Sequence, residues 1–299
     1  MSLLKQLELC MLNKNQLALV WLGQAGFIIK DYEGTKLAID PYLSNCGERL
    51  KNFVRIGPAL IRAEELEVDE YFVTHKHFDH FDYDTIPVVA AKNATRFWGP
   101  ISCVEEYNRC IEGGNMNLLP EDMTSVTENI RVRKTFADHG DLEPNAVGIW
   151  LEIGEFRIYI TGDTAYRPEQ MTWVRNSNPD IMIASVNGEF GNLTAEEGVS
   201  LANYTGAKHM IPCHFWTFVE HKGRPDLLWE AMRVNGKETR LHFLTAGNLY
   251  VCEKKEDGKS EIFKYIGATE RSGSINESIE DFGTAENANC GGTITEVRK

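Results

Sequence analysis

The segment Phe72-Val73-Thr74-His75-Lys76-His77-Phe78-Asp79-His80-Phe81-Asp82 places three histidines and an aspartate within six positions at the end of an apolar run. In extended backbone, residues i and i+2 project to one side, so His75 and His77 can grip a single ion. Asp79 and His80 follow where the chain should turn into a helix, and there they could face a second ion beside the first. Imidazole and carboxylate suit Zn2+ or Mn2+, and neither ion demands a cysteine. Imidazoles crowded at a strand end would repel one another once protonated, and a metal removes that difficulty. Four ligands cannot complete two sites, so more are expected at later strand ends. His139, Asp163 and His214 each lie just past an apolar segment, in Phe136-Ala137-Asp138-His139, Tyr159-Ile160-Thr161-Gly162-Asp163 and Ile211-Pro212-Cys213-His214.

The elements that must position these groups alternate along the chain. Leu17 to Leu22, Phe27 to Lys30 and Lys36 to Ile39 read as consecutive strands punctuated by glycines. Tyr83 to Ala91 and Ser102 to Cys110 read as helices, the second with Ser102 and Glu105 spaced as a capping box. Strands are expected at Ile130 to Ala137, Val147 to Ile153, Phe156 to Ile160, Ile181 to Val186 and His209 to Cys213, with a two-residue turn at Gly154-Glu155. A helix capped by Thr194 and Glu197 runs to about Tyr204, a second spans Pro225 to Arg233, and Arg240 to Leu244 with Leu249 to Cys252 suggests a closing hairpin. Helices should therefore cover the outer faces of a layered α/β sheet structure. We expect one domain over residues 1–252 and a polar extension, peripheral or partly disordered, over 253–299.

Composition limits the partners. The 299 residues are 42% hydrophobic with a net charge of −13, which suits a globular chain and opposes the long-range attraction that nucleic-acid binding needs. No apolar run reaches membrane-spanning length, and no secretory signal follows Met1. The seven cysteines are scattered and never spaced as C-x-x-C, so they read as reduced thiols. These features make cytoplasmic the expected location and a small molecule the expected partner, with no nucleic acid and no membrane.

His-x-His-x-Asp-His followed by His139, Asp163 and His214 resembles the metallo-β-lactamase superfamily of binuclear metal hydrolases, over about Leu17 to Cys252. Within it, Trp21-Leu22-Gly23-Gln24-Ala25-Gly26, Arg55, Pro58, Gly162-Asp163-Thr164, Ile211-Pro212-x-His214 and Trp229-Glu230 are similar to the L-ascorbate-6-phosphate lactonase branch. The resemblance implies a four-layer αβ/βα sandwich with two divalent ions, Mn2+ or Zn2+, at one edge. It implies that His75, His77 and His139 hold one ion, that Asp79, His80 and His214 hold the other, and that Asp163 bridges them. It also suggests a possible homo-oligomer.

Two such ions lower the pKa of water and polarise a carbonyl or phosphoryl oxygen, the requirements of a hydrolase. For a lactone, the leaving alkoxide could be protonated by metal-bound water or by Asp79. Arg55 could pair with a substrate phosphate or carboxylate, or simply form a surface salt bridge. Tyr166 could line the mouth or sit in a helix N-terminal turn. Asn187 and Glu189 could face substrate or form an Asn-Gly turn, and Trp216 could be an apolar wall or core. His209, His221 and His242 have no place in the ligand pattern. The leading expectation is a lactonase for a small phosphorylated or otherwise anionic sugar-derived lactone such as L-ascorbate 6-phosphate. The alternatives are a phosphodiesterase or nuclease, and a catalytically silent metal-binding regulator.

Overall fold

The computed structural model describes residues 1–265. In chain order, α1 (Leu3–Leu9), β1 (Gln16–Gly23), β2 (Gly26–Lys30), β3 (Lys36–Ile39), α2 (Cys46–Lys51), β4 (Glu70–Phe72), α3 (Thr85–Ala90), β5 (Arg96–Gly99), α4 (Ile101–Cys110) and β6 (Met116–Leu118) make up the first half. The second half holds β7 (Thr124–Ser125), β8 (Ile130–Phe136), β9 (Val147–Ile153), β10 (Phe156–Ile160), α5 (Thr172–Ser177), β11 (Ile181–Ser185), α6 (Ala195–Thr205), β12 (His209–Cys213), α7 (Pro225–Asn235), β13 (Arg240–Leu241), β14 (Leu249–Lys254) and β15 (Ser260–Lys264). Eight strands form one sheet in the order β15-β14-β1-β2-β3-β4-β5-β6, and seven form the other, β13-β12-β11-β10-β9-β8-β7.

Period-two alternation within apolar strands explains the layering, because each face of such a strand needs cover. In β1, Leu17, Leu19 and Trp21 join the core between the sheets, while Ala18, Val20 and Leu22 pack beneath helices with Leu7 of α1, Ile86 of α3 and Tyr107 of α4. On the second sheet, Val174, Val199 and Leu228 from α5, α6 and α7 close the outer side. The result is the expected αβ/βα sandwich.

Three local expectations are corrected. Segments 240–244 and 249–252 do not form a hairpin: β13 pairs parallel with β12, and β14 crosses to the other sheet and pairs antiparallel with β1. Ser102 does not cap α4, which starts after Pro100, and its buried hydroxyl has no hydrogen-bond partner. The sheet also continues past Cys252, since β14 runs to Lys254 and β15 lies at its edge. The rest of the expected extension, residues 266–299, lies outside the described residues, as does Cys290. The six described cysteines are free thiols. Among the described residues no helix is long and apolar enough to cross a membrane.

Candidate metal centre

Strand direction gathers the chemistry at one edge. β10, β11 and β12 are parallel, and β8 runs the same way because β9 is antiparallel to both β8 and β10. The segments bearing His139, Asp163, Asn187 and His214 therefore all leave the sheet at one end, where ligands collect in α/β structures. On the other sheet β3 and β4 are parallel, and Asp40 and the His75 segment leave together. Backbone hydrogen bonds join the two edges: Val147 N donates to Thr74 O at 3.1 Å, and His214 N donates to Gln24 O at 2.9 Å.

Local backbone geometry is set for this convergence. Gly162 has φ +60°, and a Cβ there would lie 2.6 Å from Val147 O, so only glycine lets the Asp163 turn approach β9. Gln24, Asp40, Phe190, His214 and Trp216 also have positive φ, between 43° and 70°. Gln24, Phe190 and Trp216 are of types that rarely adopt the left-handed region, and such strain concentrates at functional sites.

The seven expected ligands meet in two adjoining clusters. His75 Nε2 lies 3.0 Å from His77 Nδ1, and His139 Nε2 lies 3.2 Å from that same atom. In the second cluster His80 Nε2 and His214 Nε2 are 3.0 Å apart, and His214 Nε2 is 3.2 Å from Asp79 Oδ2. Asp163 stands between them: Oδ1 is 3.4 Å from His80 Nε2, and Oδ2 is 3.2 Å from His214 Nε2 and 3.9 Å from His139 Nε2.

These residues fit divalent ions. Ligands about 2.0–2.1 Å from a tetrahedral Zn2+ stand about 3.3 Å from each other, close to the separations here. Asp163 Oδ1 is buried without a hydrogen-bond donor. Burial, together with the neighbouring His80 charge, keeps the His75 imidazole well below its usual pKa, and burial lowers His77 and His139 as well, so their lone pairs stay free. Burial opposes ionisation of Asp79 and Asp163, yet the facing His80 and His214 imidazoles hold both carboxyls well below the ordinary range. Burial likewise opposes charge on His80, but Asp163, Asp40 and Asp79 raise its pKa well above the usual value. An acceptor-rich, anionic nest of this kind is what a cation requires.

A second layer, not identified from the sequence, aims the ligands. Asp40 Oδ2 lies 2.8 Å from His80 Nδ1 and accepts from Thr74 Oγ1 at 2.6 Å. Such a carboxylate fixes the ring so that Nε2 faces the metal position. Asn192 Nδ2 donates to Asp163 Oδ2 at 2.8 Å and to Asn187 Oδ1 at 3.0 Å. The Gln24 amide donates to Asp79 Oδ2 at 2.8 Å and lies 2.5 Å from His221 Nδ1. His221 has a position here after all: it stacks on His214 with ring centroids 4.7 Å apart, and with Asp79 and His214 it forms a third group of convergent ligand atoms. Burial beside His214 lowers its pKa to about 4. Gln24 and Asp40 share with the ligands a position just past a strand, which is the one sequence signal that could have marked them.

The expected recognition residues divide. The Arg55 guanidinium donates to Gly57 O at 3.2 Å and Tyr42 O at 3.0 Å and lies over the Tyr42 ring, so its fork holds backbone instead of facing outward. Glu189 is paired with Lys222 at 2.9 Å. Tyr166 is half-buried against the core. Asn187 is buried beside Asp163's partner Asn192, and among the described residues its amide nitrogen has no acceptor. Trp216 is not core: it is 59% exposed.

Known proteins agree with this architecture. A family profile described as "Beta-lactamase superfamily domain" matches residues 18–214. A UPF0173 metal-dependent hydrolase of Archaeoglobus fulgidus is 26% identical over 249 residues, covering 79% of this chain and 99% of that protein. A relative of the same description from Anaeromyxobacter is 30% identical over 229 residues, 71% of this chain and 80% of its own length. Among solved structures, an isothiocyanate hydrolase from Delia radicum gut bacteria superposes with a TM-score of 0.59 at 20% identity, over 83% of this chain and 99% of that one. A possible metal-dependent hydrolase of Veillonella parvula gives 0.62 at 15%, over 78% and 98%. Both of these share the fold. With the family profile spanning most of the chain and relatives described as metal-dependent hydrolases, this protein belongs to the beta-lactamase superfamily and is a metal-dependent hydrolase of the metallo-β-lactamase fold.

Proposed function

We propose that the chain is a binuclear hydrolase that opens lactones or cleaves related carboxylic esters of small molecules. The observation that carries this reading is the pair of adjoining His/Asp clusters sharing Asp163. His75, His77 and His139 would hold one ion, Asp79, His80 and His214 the other, and Asp163 both, with Zn2+ or Mn2+ as the candidates. When bound, such ions supply an acidified water and a Lewis acid for the scissile carbonyl. The protein's own contribution is orientation. Asp40 fixes His80, and Asn192 holds one Asp163 oxygen and leaves the other free. Asp79, a candidate proton donor by sequence, is kept ionised and accepts from Gln24, so we assign it to metal binding.

A phosphorylated sugar lactone such as L-ascorbate 6-phosphate would need a free cation at the mouth, and Arg55 does not offer one. Ester and lactone hydrolysis does not need that anionic group.

Elemental analysis of protein loaded separately with Zn2+ and Mn2+ should find two ions per chain. The loaded protein should hydrolyse members of a lactone and ester panel faster than bis-p-nitrophenyl phosphate. One ion per chain would remove the binuclear assignment, a preference for the phosphodiester would replace the lactonase reading, and two ions without any turnover would favour the silent regulator.

A further inference from the structure

The surroundings of the metal centre point to the substrate class, an inference that rests on the hydrolase reading above. The basic residues that flank the ligand segments are all engaged. Lys76 lies 3.6 Å from Glu143, Arg167 is 2.8 Å from Asp138, Lys222 is 2.9 Å from Glu189, and Arg55 is held by backbone carbonyls and the Tyr42 ring. The chain as a whole carries −13 charges. Away from the ions themselves, an anionic group of a substrate would meet no free cationic fork.

Aromatic surface takes the place of charge. From His214 the contacts run outward through the stacked ring of His221 to Phe190, 5.3 Å from His221 between centroids, and to Phe53, 5.7 Å from His221 and 6.0 Å from Phe190. Phe53 is backed by Phe78 and Phe218 at 5.4 and 5.7 Å. Phe190 is 44% exposed although its backbone sits at φ +55°. Its strained backbone thus holds a phenylalanine that is only partly buried, which suits a residue kept to meet a ligand. The loop holding Val54 and Ile56 pairs with the loop holding Trp216 and Val219 through an Arg55–Phe218 bridge, and all four of these apolar side chains are exposed. A concentration of exposed apolar side chains beside a polar centre marks a recognition surface.

We propose that Phe53 and Phe190, backed by the buried His221 ring, form the seat for an uncharged aromatic group of the substrate, so that this hydrolase acts on neutral aryl or arylalkyl esters and lactones. In the reaction, the oxygen of water bonds to the acyl carbon as the acyl C–O bond breaks. One water proton goes to the released alcohol oxygen and the other leaves with ionisation of the new carboxylic acid.

The test compares metal-replete, full-length protein on dihydrocoumarin, δ-valerolactone and 6-phosphogluconolactone. Dihydrocoumarin should show a kcat/KM about tenfold above the other two, the scale of one good aromatic contact. Phe190→Ala should erase that preference mainly through KM, and Phe190→Trp should retain it. Preference for 6-phosphogluconolactone, or a preference that Phe190→Ala leaves intact, overturns the aromatic seat while the hydrolase reading stands. If no lactone is turned over, the lactonase reading fails on its own, and equilibrium dialysis with 2-naphthol decides the seat. Binding that weakens about tenfold in Phe190→Ala supports it, and equal binding by both proteins overturns it.

Discussion

Asp40 shows how much of the centre depends on a side chain that touches no other group of the ligand pattern except His80. Its two oxygens are shared among the His80 ring, the Thr74 amide at 2.8 Å and the Thr74 hydroxyl, all within a buried pocket. The Thr74 hydroxyl in turn lies 3.1 Å from His75 Nδ1, so one carboxylate orients a histidine of each cluster, directly or through Thr74. Asp40→Asn preserves shape but replaces one acceptor oxygen with a donor and removes the charge that favours the His80 arrangement. Loss of such an outer partner typically weakens metal binding about 10- to 100-fold. Competition with a chromogenic chelator should report a weakening of that size, with far-ultraviolet circular dichroism unchanged. An unchanged metal affinity would reduce Asp40 to a loop anchor.

At the scale of elements, what the sequence revealed follows the range of the interactions involved. Strands β9, β10 and β12 are legible to the residue because continuous apolar runs end at glycine or at a polar ligand. The capping box of α6 is legible because Thr194 and Glu197 satisfy each other's amides locally. The fate of 240–252 is not legible, since two short apolar segments carry no mark of which sheet each will join. Gln24 and His221, 197 residues apart, meet only through the complete fold. The Asp163 turn combines both kinds of information: Gly162 is plain in the sequence, whereas the carbonyl it approaches belongs to another strand. Gly162→Ala must adopt φ +60° and also displace Val147. The backbone strain alone costs about 1–3 kcal/mol, and a chain of this size loses about 2–4 °C of Tm per kcal/mol. Calorimetry should therefore show a Tm lowered by at least about 2 °C, and elemental analysis should show metal lost along with it, because Asp163 moves with the turn. A lower Tm with full metal content would separate the turn's stability from its role at the centre.

Across the whole molecule, the two sheets are also tied together away from the metal centre. Asp180, beside β11, accepts from Lys208 at 2.9 Å and from Lys254 of β14 on the opposite sheet at 3.1 Å. His209 of β12 donates from Nε2 to Ser260 O of β15 at 3.0 Å, again across the sheets, and its Nδ1 accepts from His242 Nε2 at 2.8 Å. With both rings neutral every donor in this chain has an acceptor, and burial resists a charge on either ring. Burial lowers the His209 pKa to about 4 and the His242 pKa to about 3, against about 6.5 in an unfolded chain. Between about pH 6.5 and 4 the unfolded chain therefore binds protons that the folded chain refuses, and stability falls as pH falls through that window. Above pH 6.5 both states hold neutral rings and the pair adds no slope. From His209 alone the loss reaches about 3 kcal/mol by pH 4. At the metal centre His75, His77, His139 and His221 contribute with the same sign, while His80, whose pKa is raised, contributes with the opposite one, so a variant must isolate the cross-sheet pair. In His209→Gln the amide can still donate to Ser260 O but cannot be protonated. Urea unfolding from pH 4 to 8, with chelator present throughout, should give a stability-against-pH slope about 1.4 kcal/mol per unit shallower in the variant near pH 5. Coincident slopes would mean that His209 titrates alike in both states and that the acid sensitivity lies in the metal ligands.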